Sequence, residues 1–297
     1  MAKDFSAEEH RILDFFKEGA LFKMDGHEYE VVSAGKPTCF HGEPKTDIYV
    51  EAKSINNKIE IKISFKKVNA DFLENKTNAS RAEQLFGDEW ESVIENSTMQ
   101  LERQFCTRPL IYKSSFGRTE AGAITLGWKF ELVNKKSGQL SESLVLNNQQ
   151  LYDVYAGTNL SIEKQDSNVN GRTIRKSGIA NYMLIENHDF QNIQDVIDSI
   201  VPIDEYVIDN PGIYYACKAL NYRSFVKKYD GNRPLAVYVR WFVRNGKLAY
   251  ELCFDKPLLH GGDDAYNGLI DAMNELGIRD VDDINDDNVE DPDIIHF

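Results

Sequence analysis

Cysteine is scarce and scattered in this chain of 297 residues. Its four thiols, Cys39, Cys106, Cys217 and Cys253, form no CxxC pair and no Cys/His cluster. That spacing argues against a zinc site and leaves ordinary buried thiols. No apolar run approaches the roughly 20 residues a membrane helix needs. The segment Met1–Glu9 carries no hydrophobic signal stretch, so a cytoplasmic, membrane-free protein is expected. Without a secretory signal, the sequons at Asn75 and Asn96 carry no meaning. A Walker loop, a GxSxG elbow and an HExxH helix are all missing, which removes nucleotide-driven and serine-triad chemistry. Linkers rich in Pro, Gly or Ser are missing too, as are internal repeats.

Positive charge is in deficit, with a formal net charge of −14. Taken globally, that charge would repel a polyanion. The deficit is uneven, however. Residues 280–297 hold eight acids (Asp280, Asp282, Asp283, Asp286, Asp287, Glu290, Asp291, Asp293) and no Lys or Arg. Residues 218–247 hold eight bases (Lys218, Arg223, Lys227, Lys228, Arg233, Arg240, Arg244, Lys247) against Asp230 alone. The segregation says more than the total. With 42% hydrophobic and 11% aromatic residues, the chain has the composition of a globular protein with a core.

The most informative stretch is an alternating pair of runs, 45–53 and 58–67, around Asn56-Asn57. Strict alternation predicts two strands, and the Asn pair predicts the turn through its tolerance of positive φ. One face collects Ile48, Val50, Ala52, Ile59, Ile61, Ile63 and Phe65; the other collects Asp47, Tyr49, Glu51, Glu60, Lys62, Ser64 and Lys66. Folding about the turn sets Asp47 opposite Ser64 or Lys66. A polar face of this kind is either a solvated ribbon or a metal-dependent hydrolytic site. Cross-strand neighbours lie about 5 Å apart, close enough to gather carboxylates and a lysine around one ion.

The hairpin resembles the PD-(D/E)XK nuclease superfamily and, within it, the type II restriction endonucleases: an Asp at the start of one strand, then acid-x-Lys on the next. Two versions are present. Asp47 with Glu60-Ile61-Lys62 matches the letter of the motif, and Asp47 with Ser64-Phe65-Lys66 matches the hairpin geometry, with Ser in place of the acid. The second is favoured, and Glu60 with Lys62 is kept as the alternative. The resemblance covers residues 5 to 105, including the Gly42–Thr46 approach and the segment Asn69-Ala70-Asp71-Phe72. It implies an αβββα core: an amphipathic helix over 6–22 capped by Ser6, a strand over 28–34, the hairpin, then helices over 79–105.

The resemblance further implies Mg²⁺ held by Asp47, by Glu60 or Glu83, and by the carbonyl of Phe65 (or Ile61). Lys66 (or Lys62) then polarises the attacking water. Glu8 or Glu9 of the first helix is a further candidate ligand, although a helix-cap role is favoured. Arg81 or Gln84 is placed near a phosphate. The expected substrate is double-stranded DNA cut at a specific sequence. The expected partners are a second copy in a homodimer and a cognate DNA methyltransferase.

Further along, Gly171–Gly178 is a Gly-flanked basic loop, containing Arg172, Arg175 and Lys176, that can follow a phosphate backbone. Residues 235–254 predict a second hairpin around Asn245-Gly246, with Tyr238, Arg240, Phe242 and Arg244 on one face. Lys67, Arg223, Lys227, Lys228, Arg233, Arg240 and Arg244 complete the candidate DNA contacts. Other expected elements are strands around Gly117–Gly122, a helix within 144–155, a helix over 192–200 ended by Pro202, and a helix over 265–276 capped by Asp263 or Asp264. The acids Asp204, Glu205 and Asp209 read as loop chemistry.

The fold class expected is α/β: a mixed sheet flanked by helices, with a β-rich C-terminal region. The catalytic core is assigned to 1–140, and a recognition and dimerisation region with an acidic tail at 280–297 to 141–297. One rival is a structure-specific or non-specific phage or repair nuclease. The other is a non-catalytic acidic protein that mimics DNA with its tail.

Overall fold

In the computed structural model, residues 5–67, 72–74 and 77–297 are described. The alternating runs form a regular antiparallel hairpin of β3 (Ile48–Lys53) and β4 (Lys58–Lys67), after β1 (Leu21–Met24) and β2 (His27–Gly35). With β5 (Tyr182–Glu186) and β6 (Ile200–Pro202) they make a six-stranded sheet in the order β1-β2-β3-β4-β5-β6. β5 runs parallel to β4 and every other pairing is antiparallel, so the sheet is mixed. By contacts this sheet belongs to a unit built from residues 1–70 and 146–211, and a second unit holds 71–145 and 212–297. The chain therefore passes between units near 70, 145 and 211, where the sequence had suggested one boundary near 140.

The apolar face of the hairpin sits in the core of the first unit. Ile48, Val50, Ala52, Ile61, Ile63 and Phe65 pack with Ile12, Phe16, Val31, Leu184, Val196 and Ile197, drawn from helices α1 (Phe5–Leu13) and α3 (Ile193–Ser199), the turn after α1 and neighbouring strands. Another helix, α2 (Asn148–Ala156), starts at a reciprocal capping box between Asn147 and Gln150 and stops at Gly157 in the left-handed region. Several expectations are corrected here. The first helix ends at Leu13 instead of running to residue 22, because Gly19 turns the chain (φ 83°) and Leu21 opens β1. The side chain of Ser6 lies outside the described residues, as do Asn69, Ala70, Asp71 and the side chain of Phe72. The turn at Asn56-Asn57 forms with neither residue at positive φ; Ser54 N–H closes it on the Asn57 carbonyl at 2.7 Å. α3 ends at Ser199, and Ile200, its C-cap, is already extended before Pro202 is reached.

The second unit is built on Ala123–Val133, an 11-residue strand that pairs with Tyr214–Arg223, Val237–Arg244, Phe72–Glu74 and Ile111–Tyr112. The helices expected over 79–105 are found here as Ala79–Phe86, Trp90–Met99 and Glu102–Cys106, and by contacts they belong to this unit and not to that of the hairpin. The Asn245-Gly246 hairpin joins Val237–Arg244 to Lys247–Cys253. The helix Gly262–Glu275 starts at Gly261, whose N–H donates to the carboxylate of Asp264 at 3.0 Å. The acidic C-terminal segment is not a solvated tail. Val281, Ile284, Val289, Ile294 and Ile295 are buried, and Ile295–His296 pairs in parallel with Ile111–Tyr112.

Candidate functional site

Register decides which polar residues meet. Ile48 pairs with Ile63 as the first rung of the ladder, and continuing that register by one residue sets Asp47, in the bend just before β3, level with Ser64 at the mouth of the hairpin. The ladder from Ile48 to Lys53 has no bulge, and Glu60 pairs with Glu51 at the other end. Four residues of strand separate Glu60 from Ser64, roughly 13 Å. Glu60 and Lys62 therefore form their own group. The Tyr49 hydroxyl donates to Glu60 at 2.8 Å, Lys62 Nζ lies 3.8 Å from Glu60, and the same ammonium donates to the Lys176 carbonyl at 3.3 Å. Burial lowers the Lys62 ammonium's pKa, against the pull of Glu60. The alternative motif with Glu60 and Lys62 is thus set apart from Asp47.

Asp47 is half-buried and held in place from two sides. Its N–H donates to the Ile63 carbonyl at 2.8 Å, and its Oδ2 accepts from Phe65 N–H at 2.7 Å. In an extended strand, a residue's N–H and C=O point to the same edge. The Phe65 carbonyl therefore faces the side on which Asp47 lies. Burial pushes the Asp47 carboxyl up to about 6; Lys66, the Phe65 N–H and Lys36 pull it down, and Glu9 pushes it further up. Three charged side chains, Glu9 of α1, Lys36 after β2 and Lys66 near the end of β4, thus bear on Asp47. Glu9 pairs with Lys36. Burial opposes charge on Lys36, but Glu9, Asp47 and Glu43 outweigh it and hold the ammonium above its usual value. Glu8 is committed elsewhere, accepting from Arg11 at 2.8 Å.

Two observations separate this end of the hairpin from a solvated ribbon. Tyr49 and Ser64 are fully buried on the polar face, and the hydroxyls of Ser64 and Thr46 are buried without a hydrogen-bond partner among the described residues. The approach to Asp47 is lashed to the basic loop: Lys45 and Thr46 N–H groups both donate to the Gly178 carbonyl, at 2.9 and 3.2 Å. A side chain at Gly178 would meet the Lys164 carbonyl at 1.8 Å, so the close approach requires glycine.

The oxygen donors near Asp47 suit a hard divalent cation: two carboxylates, Asp47 and Glu9, and a strand carbonyl, with room in the coordination for water. Glu83 does not add to them within this unit; it is exposed on Ala79–Phe86 of the second unit. Among the described residues, no three His, Cys, Asp or Glu side chains gather as a ready-made metal cluster.

The candidate DNA contacts divide. Arg172, Arg175 and Lys176 are exposed in the loop that follows the Asn170-Gly171 turn, and none makes an ion pair among the described residues. In the second unit, Arg223 pairs with Asp230 at 3.0 Å, Arg244 with Glu290 at 3.4 Å, and Arg240 with Glu251. Lys227, Lys228 and Arg233 have no such partner among the described residues. Lys67 ends β4, half-buried. Sequence reasoning missed Lys36 altogether, and it ranked Glu9 as a helix cap. The one local signal was a lysine between Gly35 and Pro37 at a strand end.

Comparison with protein-family models, with curated proteins and with solved structures returned no match. No helix among the described residues is long and apolar enough to cross a membrane.

Proposed function

We propose that the first unit is a Mg²⁺-dependent DNA phosphodiesterase of the PD-(D/E)XK kind, acting at specific sequences as type II restriction endonucleases do. The observation that carries this reading is the register: Asp47 opposite Ser64, with Lys66 two residues on and Phe65 N–H bonded to the Asp47 carboxylate. The Glu9 charge beside Asp47 supports it. So do the unpartnered Ser64 hydroxyl and the exposed bases of the loop tied to Thr46.

Asp47, Glu9 and the Phe65 carbonyl would hold Mg²⁺. Bound there, the ion supplies a water of lowered pKa and a positive centre for the transition state. Lys66 orients that water and faces the charge that grows on the phosphoryl oxygens. Ser64, unable to ligate as an acid does, would offer its hydroxyl as a hydrogen-bond partner beside the Asp47 carboxylate. Lys36 neutralises Glu9 when the ion is absent. Arg172, Arg175 and Lys176 steer the phosphate backbone toward the Asp47 mouth. A two-fold recognition sequence would require a homodimer, and a host so armed would need a DNA methyltransferase to protect its own sites.

The test is a digest of long phage DNA with purified protein and Mg²⁺, run beside Lys66→Ala and Lys62→Ala. Discrete bands from wild type and Lys62→Ala, absent with Lys66→Ala, are expected. A smear lost in Lys66→Ala would move the reading to a non-specific nuclease. Uncut DNA throughout, on several unmodified substrates, would remove the nuclease reading.

A further inference from the structure

The second unit presents an apolar tip that its core does not account for. Between Arg223 and Lys228 the chain reverses in a turn closed by reciprocal backbone bonds, Arg223 N–H to Lys228 carbonyl at 2.8 Å and the return bond at 3.3 Å. Ser224 anchors the turn: its N–H and its hydroxyl both donate to the Gly122 carbonyl, at 2.8 and 2.9 Å, and the hydroxyl accepts from Val281 N–H at 3.2 Å. Phe225 is seated over Gly122, where a Cβ would come within 2.3 Å of its ring. Yet Phe225 stays 50% exposed and Val226 65% exposed. Lys227, in the left-handed region at φ 49°, and Lys228 follow directly.

These lysines differ from the arginines around them. Arg223, Arg240 and Arg244 are each paired with an acid, whereas Lys227 and Lys228 have no ion-pair partner among the described residues. A braced turn therefore offers two apolar side chains flanked by two unpaired cations.

We infer that the Phe225–Lys228 turn is a wedge for double-helical DNA, in which Lys227 and Lys228 contact phosphates while Phe225 and Val226 enter a groove and part a base step. This rests on the reading of the protein as one that acts on duplex DNA. Apolar wedges need rigid presentation, because unstacking is opposed by the duplex and a loose loop would yield first; backbone closure and the Ser224 anchor supply that rigidity. Charge complementarity favours a polyanion. A bilayer is a poorer fit, since two apolar residues and two lysines give only marginal, reversible membrane binding.

The experiment uses full-length Lys66→Ala protein, which leaves DNA uncut, bound to closed-circular plasmid during relaxation by a topoisomerase. A wedge unwinds or kinks the duplex, so a shift in linking number is expected, abolished in Phe225→Ala/Val226→Ala and kept in Phe225→Leu. The double variant should bind roughly 5- to 100-fold more weakly with an unchanged salt dependence. Lys227→Ala/Lys228→Ala should instead lower the slope of log affinity against log salt by about two.

Binding with no shift in linking number, or a shift that survives the double alanine variant, would overturn the wedge and leave the DNA-cutting reading standing. Phe225-dependent sedimentation with phosphatidylserine vesicles, without a DNA effect, would assign the tip to a lipid surface instead. Failure of the Lys66→Ala protein to bind DNA at all would overturn both readings.

Discussion

Replacing Asp47 by Asn distinguishes a carboxylate retained for chemistry from one that holds the fold together. Burial pushes this carboxyl from 3.8 up to about 6. At 1.36 kcal/mol per pH unit, keeping Asp47 ionised costs the fold on the order of 3 kcal/mol, an upper figure for a half-buried group. Between pH 3.8 and 6 the native chain binds more protons at this site than the unfolded chain does. Stability therefore falls as pH rises through that window, and the loss is complete above 6.

Asn has the shape and neutrality of protonated Asp and keeps an acceptor for Phe65 N–H. In urea denaturation followed by circular dichroism in EDTA, Asp47→Asn should be more stable than wild type at pH 8, by up to about 3 kcal/mol. The gap should close toward pH 4. Added Mg²⁺ should stabilise wild type and leave the Asn variant unmoved, because a cation that binds only the native state contributes through mass action. An Asn variant less stable than wild type at pH 8, or a gap independent of pH, would refute this. Asp47 would then be a satisfied structural carboxylate.

In steady-state cleavage, Lys66→Ala should lower kcat by about 10²-fold or more, while Lys62→Ala and Glu60→Gln stay within a few-fold of wild type. Ser64→Ala removes a buried hydroxyl without a partner among the described residues and should raise thermal stability by about 1 kcal/mol. A drop in cleavage alongside would tie that hydroxyl to a bound water. Truncation after Arg279 removes the buried Val281, Ile284, Val289, Ile294 and Ile295. It should yield insoluble or partly unfolded protein, whereas Asp286→Asn/Asp287→Asn should fold normally by circular dichroism.

The hairpin was legible in the sequence because every link in it is local. Alternation set the faces and the Asn pair set the turn, leaving two registers for Asp47, of which the structure takes the one level with Ser64. The flanking elements were legible in kind but not in allegiance. The helices over 79–105 form as expected but belong to the second unit, and the first sheet gains β5 and β6 from residues more than a hundred positions after β4. A parallel β4–β5 pairing leaves no trace in either strand's own pattern, because its register depends on tertiary packing. Lys36 and the Gly178 tether were missed for the same reason: nothing beside them in sequence shows that they converge on Asp47. The acidic C-terminus misled differently. Its charge count suggested a solvated tail, but its Val and Ile residues carried the strand and core contacts that order it.

The strongly negative total is compatible with a polyanionic substrate once the charges are placed. In the second unit much of the basic surplus is answered internally, by Asp230 on Arg223, Glu251 on Arg240 and Glu290 on Arg244, while the Lys247 ammonium donates to the Asp286 carbonyl at 3.4 Å. These pairs are solvent-exposed, and exposed pairs contribute only about 0.2–1 kcal/mol each. They hold the arginines in fixed directions more than they stabilise the fold. A phosphate, offering a bidentate acceptor to guanidinium, competes with such carboxylates on comparable terms. For the proposed DNA substrate, the acids would therefore set a threshold that weak, non-specific contacts do not cross. The cations without such pairs among the described residues, Arg172, Arg175 and Lys176 in one unit and Lys227, Lys228 and Arg233 in the other, are where first contact with the proposed substrate would meet no such competition. On the proposed reading a high density of acid would work for selectivity, because only a duplex that also engages the Asp47 mouth or the Phe225 turn would gain enough to displace the internal pairs.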